Sequence, residues 1–142
     1  MIIREAEHQD YHEICTICNR DLGYECSSEL VAQRLRNLDN KREIVFVAEM
    51  NKNIVGFIHA EIYHVLFAKS MINILGLAVS SEYRKKGVGR ELLSEVENWA
   101  EALEITTIRL NSGATRKDAH EFYRIMGYNN EKIQIRFIKN LV

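Results

Sequence analysis

Three consecutive cations, Arg84-Lys85-Lys86, stand directly before Gly87-Val88-Gly89-Arg90. The apolar run Leu77-Ala78-Val79 precedes them, and an amphipathic stretch follows. A strand that feeds such a loop into a helix leaves the first backbone N–H groups of the helix without partners, at the positive end of its dipole. That suits a phosphate-bearing ligand. Backbone amides from Lys85 to Arg90 can cradle a pyrophosphate, and Gly87 and Gly89 let the main chain approach it closely. Arg84, Lys85 and Lys86 add charge-assisted contacts. A dinucleotide fingerprint needs a third glycine where the chain has Leu92, and a Walker A loop needs a Gly-Lys-Ser/Thr run that is missing.

Further residues with chemical potential lie on either side. His59, Glu61 and Tyr63 alternate along one apolar stretch, so as a strand they share a face. Downstream runs Asp118-Ala119-His120-Glu121-Phe122-Tyr123, closed by Gly127. A tyrosine phenol has a pKa of about 10 and is a proton donor at neutral pH. His8, His12, Cys15 and Cys18 follow helical spacing, but no partner cluster completes a metal site, so no metal is expected. The three cysteines, Cys15, Cys18 and Cys26, do not imply a disulfide framework.

The elements that must position these residues are legible from periodicity. Ile2 to Arg4 reads as a short strand. Two helices follow, marked by Tyr11, Ile14, Cys15, Cys18 and Leu22, then by Leu30, Val31, Leu35 and Leu38 after a cap at Ser27 or Ser28. Ile44 to Met50 and Ile54 to Val65 form a hairpin around Asn51-Lys52-Asn53. Met71 to Val79 reads as a strand buried on both faces. Gly87 to Leu103 is a helix with an apolar stripe, and Thr106 to Leu110 is a strand. Thr115-x-x-Asp118 has the spacing of a capping box for the next helix, and 132–138 alternates Ile133, Ile135 and Phe137 as a final strand. The class is α/β, with a mixed, largely antiparallel sheet of about six to seven strands flanked by four helices. One domain spans residues 1–142.

Arg84-x-x-Gly87-x-Gly89 after Leu77-Ala78-Val79, followed by Ala119-x-x-Phe122-Tyr123, closely resembles the GNAT superfamily of acyl-CoA-dependent N-acetyltransferases. The resemblance implies that the loop from Arg84 to Arg90 holds the coenzyme A pyrophosphate. It implies that Leu77, Ala78 and Val79 lend backbone groups to the pantetheine arm, with Val88 at the helix start. Ala119 and Phe122 then pack near the thioester, Ser112 joins the cofactor contacts, and Tyr123 protonates the departing thiolate. Arg116 stands where family members commonly have Asn, as a cofactor contact or as a solvated cation. The family often carries an acid just before its central Leu-x-Val, where this chain has Leu75 and Gly76. Glu61 is the substitute expected to accept the ammonium proton; His59 or a relayed water is the alternative. The Ala119-His120-x-Phe122-Tyr123 form also looks like small-amine acetyltransferases of the aminoalkylphosphonate group.

The bulk numbers agree with this class. The chain has 142 residues, 46% hydrophobic, with formal net charge −1. A general nucleic-acid binder carries a basic excess, so none is expected as partner. No apolar run is long enough to span a membrane, and the N-terminus lacks a signal-peptide pattern, so a cytoplasmic location is expected. The expected function is transfer of an acetyl group from acetyl-CoA to a primary amine of a small molecule, by direct attack in a ternary complex. The alternatives are a non-catalytic acyl-CoA-binding regulatory module and a protein or peptide acetyltransferase. A final strand leaves an edge open to pairing, which allows a homodimer.

Overall fold

Two left-handed residues in a row, Asn51 (φ 50°) and Lys52 (φ 66°), reverse the chain in the computed structural model, which describes residues 1–130 and 132–142. Positive φ at both central positions is the mirror-image turn whose twist matches that of two strands. The turn lies in the first of two units, Met1–Leu110; the second is Asn111–Val142.

The first unit holds one sheet. Its strands are β1 (Ile2–Glu5), β2 (Glu43–Met50), β3 (Asn53–Val65), β4 (Ala68–Val79) and β5 (Ile108–Leu110), side by side in chain order. The first four pair antiparallel, and β5 runs parallel to β4. A parallel neighbour needs a crossover. Helix α3 (Val88–Ala102) supplies it.

Two bulges set which side chains meet. The β2–β3 register shifts between Ala48 and Glu49, leaving Val55 as an extra residue in β3. In β4, Ile74 pairs with Ala60 and Gly76 with His59, so Leu75 is extra. A bulge locally disrupts the ladder and bends its strand.

Each face of the sheet has its own helical cover. Helix α3 packs on β3 and its neighbours through Val88, Leu92, Leu93, Val96 and Ala100, all buried. On the other side lie α1 (Tyr11–Ile17), a π-helical turn (Cys18–Leu22) ended by left-handed Gly23, and α2 (Ser28–Arg36). There Ile14 and Ile17 pack with Val47, Phe57 and Ala78. Ser27 caps α2, accepting from the Leu30 N–H at 3.1 Å.

Gly56 fixes how closely α3 sits on the sheet. A Cβ there would lie 3.0 Å from the Ala78 carbonyl oxygen, 3.1 Å from Val88 Cγ1 and 3.2 Å from Leu92 Cδ1. Gly56→Ala is therefore expected to lose about 1–3 kcal/mol, the usual cost of overpacking. Thermal unfolding checks it, and an unchanged Tm would mean the helix start shifts freely.

In the second unit, α4 (Lys117–Ile125) ends in a Schellman motif. The Gly127 N–H donates to the Arg124 carbonyl (3.0 Å), the Tyr128 N–H donates to the Tyr123 carbonyl (2.9 Å), and Gly127 has φ 93°.

Four expectations are corrected. The sheet has five strands among the described residues, not six to seven. Residues 132–138 form no strand, because alternation makes a two-faced segment and a strand also needs a hydrogen-bonded partner. Strand β4 is not buried on both faces: Ile72, Ile74 and Ala78 are buried, whereas Leu75 is exposed and Asn73 half-buried. Thr115 does not cap α4, whose N-cap is Arg116 without a side-chain hydrogen bond; the Thr115 carbonyl accepts from the Lys117 N–H instead.

Candidate functional site

The basic loop folds as a cradle. Strand β4 ends at Val79, and a short 3-10 turn (Ser81–Tyr83) leads to Arg84 in extended conformation. Lys85 (φ 62°) and Gly87 (φ 82°) are both left-handed, with one residue between them. Turning the chain this way aims successive N–H groups toward one side. The Glu91 N–H is bonded to the Gly87 carbonyl (3.0 Å), so Val88, Gly89 and Arg90 precede the first helical hydrogen bond. Gly87 caps α3 without a side chain, and a Cβ on it would meet no atom within 4 Å. The concave side is open. Arg84, Lys85, Lys86 and Arg90 are exposed around it, with Lys86 Nζ 5.5 Å from the centre of the Tyr83 ring. These residues fit a pyrophosphate.

The strand leading into the cradle is open along one edge. Strand β5 pairs with β4 only across Ile72–Ile74. From Leu75 to Val79, β4 is bonded to β3 on one side and has no strand on the other among the described residues. The expected backbone contacts, Leu77, Ala78 and Val79, lie on this stretch. An extended chain with amide groups can pair there as a further strand would.

Sequence reasoning missed the residues that brace the loop. Arg20, on the π-helical turn, donates to the Ser80 hydroxyl at 2.8 Å. Its neighbour Asp21 is 4% exposed at the side chain and lies 3.4 Å from Arg20 Nε and 3.9 Å from Arg84. Ser80 is itself buried, and its N–H donates to the Val55 carbonyl (2.7 Å). A single helical turn thus grips both ends of the link between β4 and the cradle. A π turn in a short helix often marks a functional place; nothing in the local spacing of Cys18–Leu22 announces one.

His59, Glu61 and Tyr63 do share a face, and the structure adds their partners. Where the cover of α1 ends beyond Val45 and Phe57, the sheet turns polar. Glu43 on β2 lies 2.8 Å from His59 Nε2. Glu61 Oε2 accepts from Asn73 (2.9 Å), and Oε1 lies 3.3 Å from Arg42. Arg109 on β5 donates to Asn73 Oδ1 (2.7 Å) and stacks over Tyr63 at 4.8 Å. Burial pushes the Glu43 carboxyl up; the His59 hydrogen bond, the Asp39 N–H and nearby Arg42 outweigh it and hold the group below the ordinary carboxylate range.

The histidine and cysteine row on the first helix does not converge. Cys15 Sγ turns to Cys26, 3.8 Å sulfur to sulfur, while His8 Nε2 is 3.4 Å from Arg36. The Cys18 thiol is pushed up to about 12, by burial first and then by Cys26. Such a thiol keeps its proton and is a weak ligand.

The second unit carries the remaining expected residues. Tyr123 is half-buried and packs edge-on against Phe122 (5.2 Å) and Tyr128 (6.1 Å). Burial pushes its phenol above its ordinary value, against the nearby Arg116 cation. Ala119 is half-buried on α4, and Arg116 stands exposed at its start. The Ser112 hydroxyl is shielded from solvent and has no hydrogen-bond partner among the described residues. A buried orphan hydroxyl is costly unless a ligand completes it.

The acetyltransferase (GNAT) family model matches residues 5–128. An aminoalkylphosphonate N-acetyltransferase of Salmonella typhimurium is 28% identical over 144 residues, covering 98% of this chain and 90% of that protein. YhdJ of Bacillus subtilis, an uncharacterized N-acetyltransferase, is 38% identical over 64 residues. That match spans 44% of this chain and 45% of YhdJ, less than half of either. Among solved structures, the aminoglycoside 6'-N-acetyltransferase AAC(6')-Ig of Acinetobacter haemolyticus has a TM-score of 0.83 across 100% of both chains, at 18% identity, which speaks to the fold.

Proposed function

Because the chain belongs to the GNAT acetyltransferase family, we propose that it moves an acetyl group from acetyl-CoA to a primary amine of a small molecule, by direct attack within a ternary complex. The observation that carries this reading is the one-sided edge of β4 from Leu75 to Val79, running straight into the left-handed cradle at Lys85 and Gly87. When bound, acetyl-CoA supplies the activated acetyl group. Backbone N–H groups of Val88, Gly89 and Arg90 hold the diphosphate, with Arg84, Lys85 and Lys86 around it. The unpaired edge at Leu77, Ala78 and Val79 orients the extended arm and polarises the acyl carbonyl. In the second unit, the family resemblance assigns Ser112, Ala119 and Phe122 to the cofactor. Tyr123 gives a proton to sulfur.

The polar patch on β2, β3 and β4 receives the acceptor. Glu61 offers the ammonium a negative partner, which favours a cationic acceptor over a neutral one. The relative from Salmonella typhimurium is named for aminoalkylphosphonates and that from Acinetobacter haemolyticus for aminoglycosides, so both amine types head the list of acceptors.

Incubation of the purified protein with acetyl-CoA and a panel of primary amines, read by mass spectrometry, tests the reading. Acetylated product from at least one small amine is expected. Tight coenzyme A binding with no product across the panel would instead support a regulatory acyl-CoA-binding module. The absence of an acid at Leu75 and Gly76 favours that second reading.

A further inference from the structure

We infer that His59, oriented by Glu43, is the group that takes the proton from the acceptor ammonium. This rests on the acetyl-transfer reading and names the residue that performs one of its steps.

Position comes first. His59 pairs with Gly76, next to the extra residue Leu75, at the point where the open edge of β4 begins. Glu61 pairs with Asn73, on the far side of the bulge, where β4 is still covered by β5. The β3–β4 register therefore sets His59, and not Glu61, alongside the unpaired stretch. The His59 side chain is 30% exposed, which leaves a solvent path to the ring.

Chemistry comes second. An ionised carboxylate only accepts hydrogen bonds. With Glu43 Oε1 2.8 Å from Nε2, the neutral ring carries its proton on Nε2, and Nδ1 keeps a lone pair. Glu43 is held ionised by that hydrogen bond, by the Asp39 N–H and by Arg42. Both oxygens of Glu61 are already engaged, one by Arg42 and one by Asn73. The charged groups around His59 are thus Glu43, Arg42, Glu61 and, through Asn73, Arg109. Strand β4 places only Leu75 and Gly76 beside it. Helix α1, at the apolar end of β3, brings Glu13, which accepts from the Ile54 N–H (2.8 Å).

The protons balance. One leaves the ammonium for Nδ1, and Glu43 compensates the imidazolium until solvent removes it. The freed amine forms the N–C bond as the C–S bond breaks. A second amine proton is released as the amide forms, matching the one Tyr123 gives to sulfur. Glu43 touches no substrate and acts as a positioning residue.

The test follows kcat against pH with aminoethylphosphonate and an aminoglycoside, amines of different basicity. His59→Gln is expected to lower kcat about tenfold at neutral pH and flatten the rising limb; the loss is smaller than usual for a general base because amines also deprotonate in bulk water. Glu43→Gln should move the limb to lower pH, since the imidazolium loses its counter-charge. Glu61→Gln should raise KM and keep the limb. Nitrogen NMR of the protein without substrates should show the Nε2–H form of His59 in wild type. An unaltered limb in His59→Gln, a limb that tracks the amine, or an Nδ1–H tautomer overturns the inference while acetyl transfer stands. Wild-type protein that acetylates no amine of the panel overturns both.

Discussion

Gly87→Val is expected to raise the dissociation constant of coenzyme A by roughly two orders of magnitude, through backbone strain and lost contacts. Gly87 sits at φ 82°, where a β-branched residue is strained. Apart from its chain neighbours, nothing lies within 4 Å of the would-be Cβ, so the added side chain stands in open space beside the loop rather than in the core. Valine has two ways out, and both harm binding. Keeping the conformation fills the space the phosphates need. Relaxing to negative φ rotates the N–H groups of Val88 and Gly89 away from their common target. A hydrogen bond to a charged group contributes about 1.5–3 kcal/mol, and about 1.4 kcal/mol is tenfold in affinity. Calorimetry with coenzyme A on the folded variant reads the effect. Affinity within a factor of three of wild type would remove the loop from cofactor binding.

Tyr123→Phe has a different signature. It should lower kcat by roughly 10²-fold, at the low end of the range for a general acid, with coenzyme A affinity nearly intact. Phenylalanine keeps the edge-on packing against Phe122 and Tyr128, so α4 and its Schellman end should survive. Only the hydroxyl proton is lost. Burial raises the phenol above its ordinary value, and Arg116 offsets part of that. A donor works while protonated, so wild-type activity falls only as pH climbs through this raised value. In Tyr123→Phe that alkaline fall should vanish. Full turnover in the variant would leave Tyr123 as packing.

Much of the fold was legible because local rules agreed with the tertiary result. The apolar stripe from Val88 to Ala100 has helical spacing and faces the sheet. Asn51 accepted the left-handed turn it was expected to, and Gly127 ended α4. The turn before α3 was also readable, because glycines and a helix start lie next to each other in the chain. Local rules failed where a distant partner decides the outcome. Residues 132–138 alternate as a strand should, yet pairing is not a property of one segment. Thr115 had the spacing of a cap, and the backbone placed Arg116 at that position instead.

The polar patch was half visible. Alternation alone put His59, Glu61 and Tyr63 on one face. It could not supply Glu43. Counting back from Met50 and Asn53 at the turn sets Glu43 opposite Ala60, on the wrong face. The bulge at Val55 shifts the register by one, so Glu43 meets Glu61 and its side chain reaches His59. The sequence by itself determined the helix that starts at Val88, the basic glycine-bearing loop before it and the tyrosine on α4, because each depends on residues within a turn or two. Only the tertiary structure decided that Arg20 and Asp21 brace that loop and that Glu43 reaches His59. The extra residue Val55 decides the latter, and a bulge exists only between two strands.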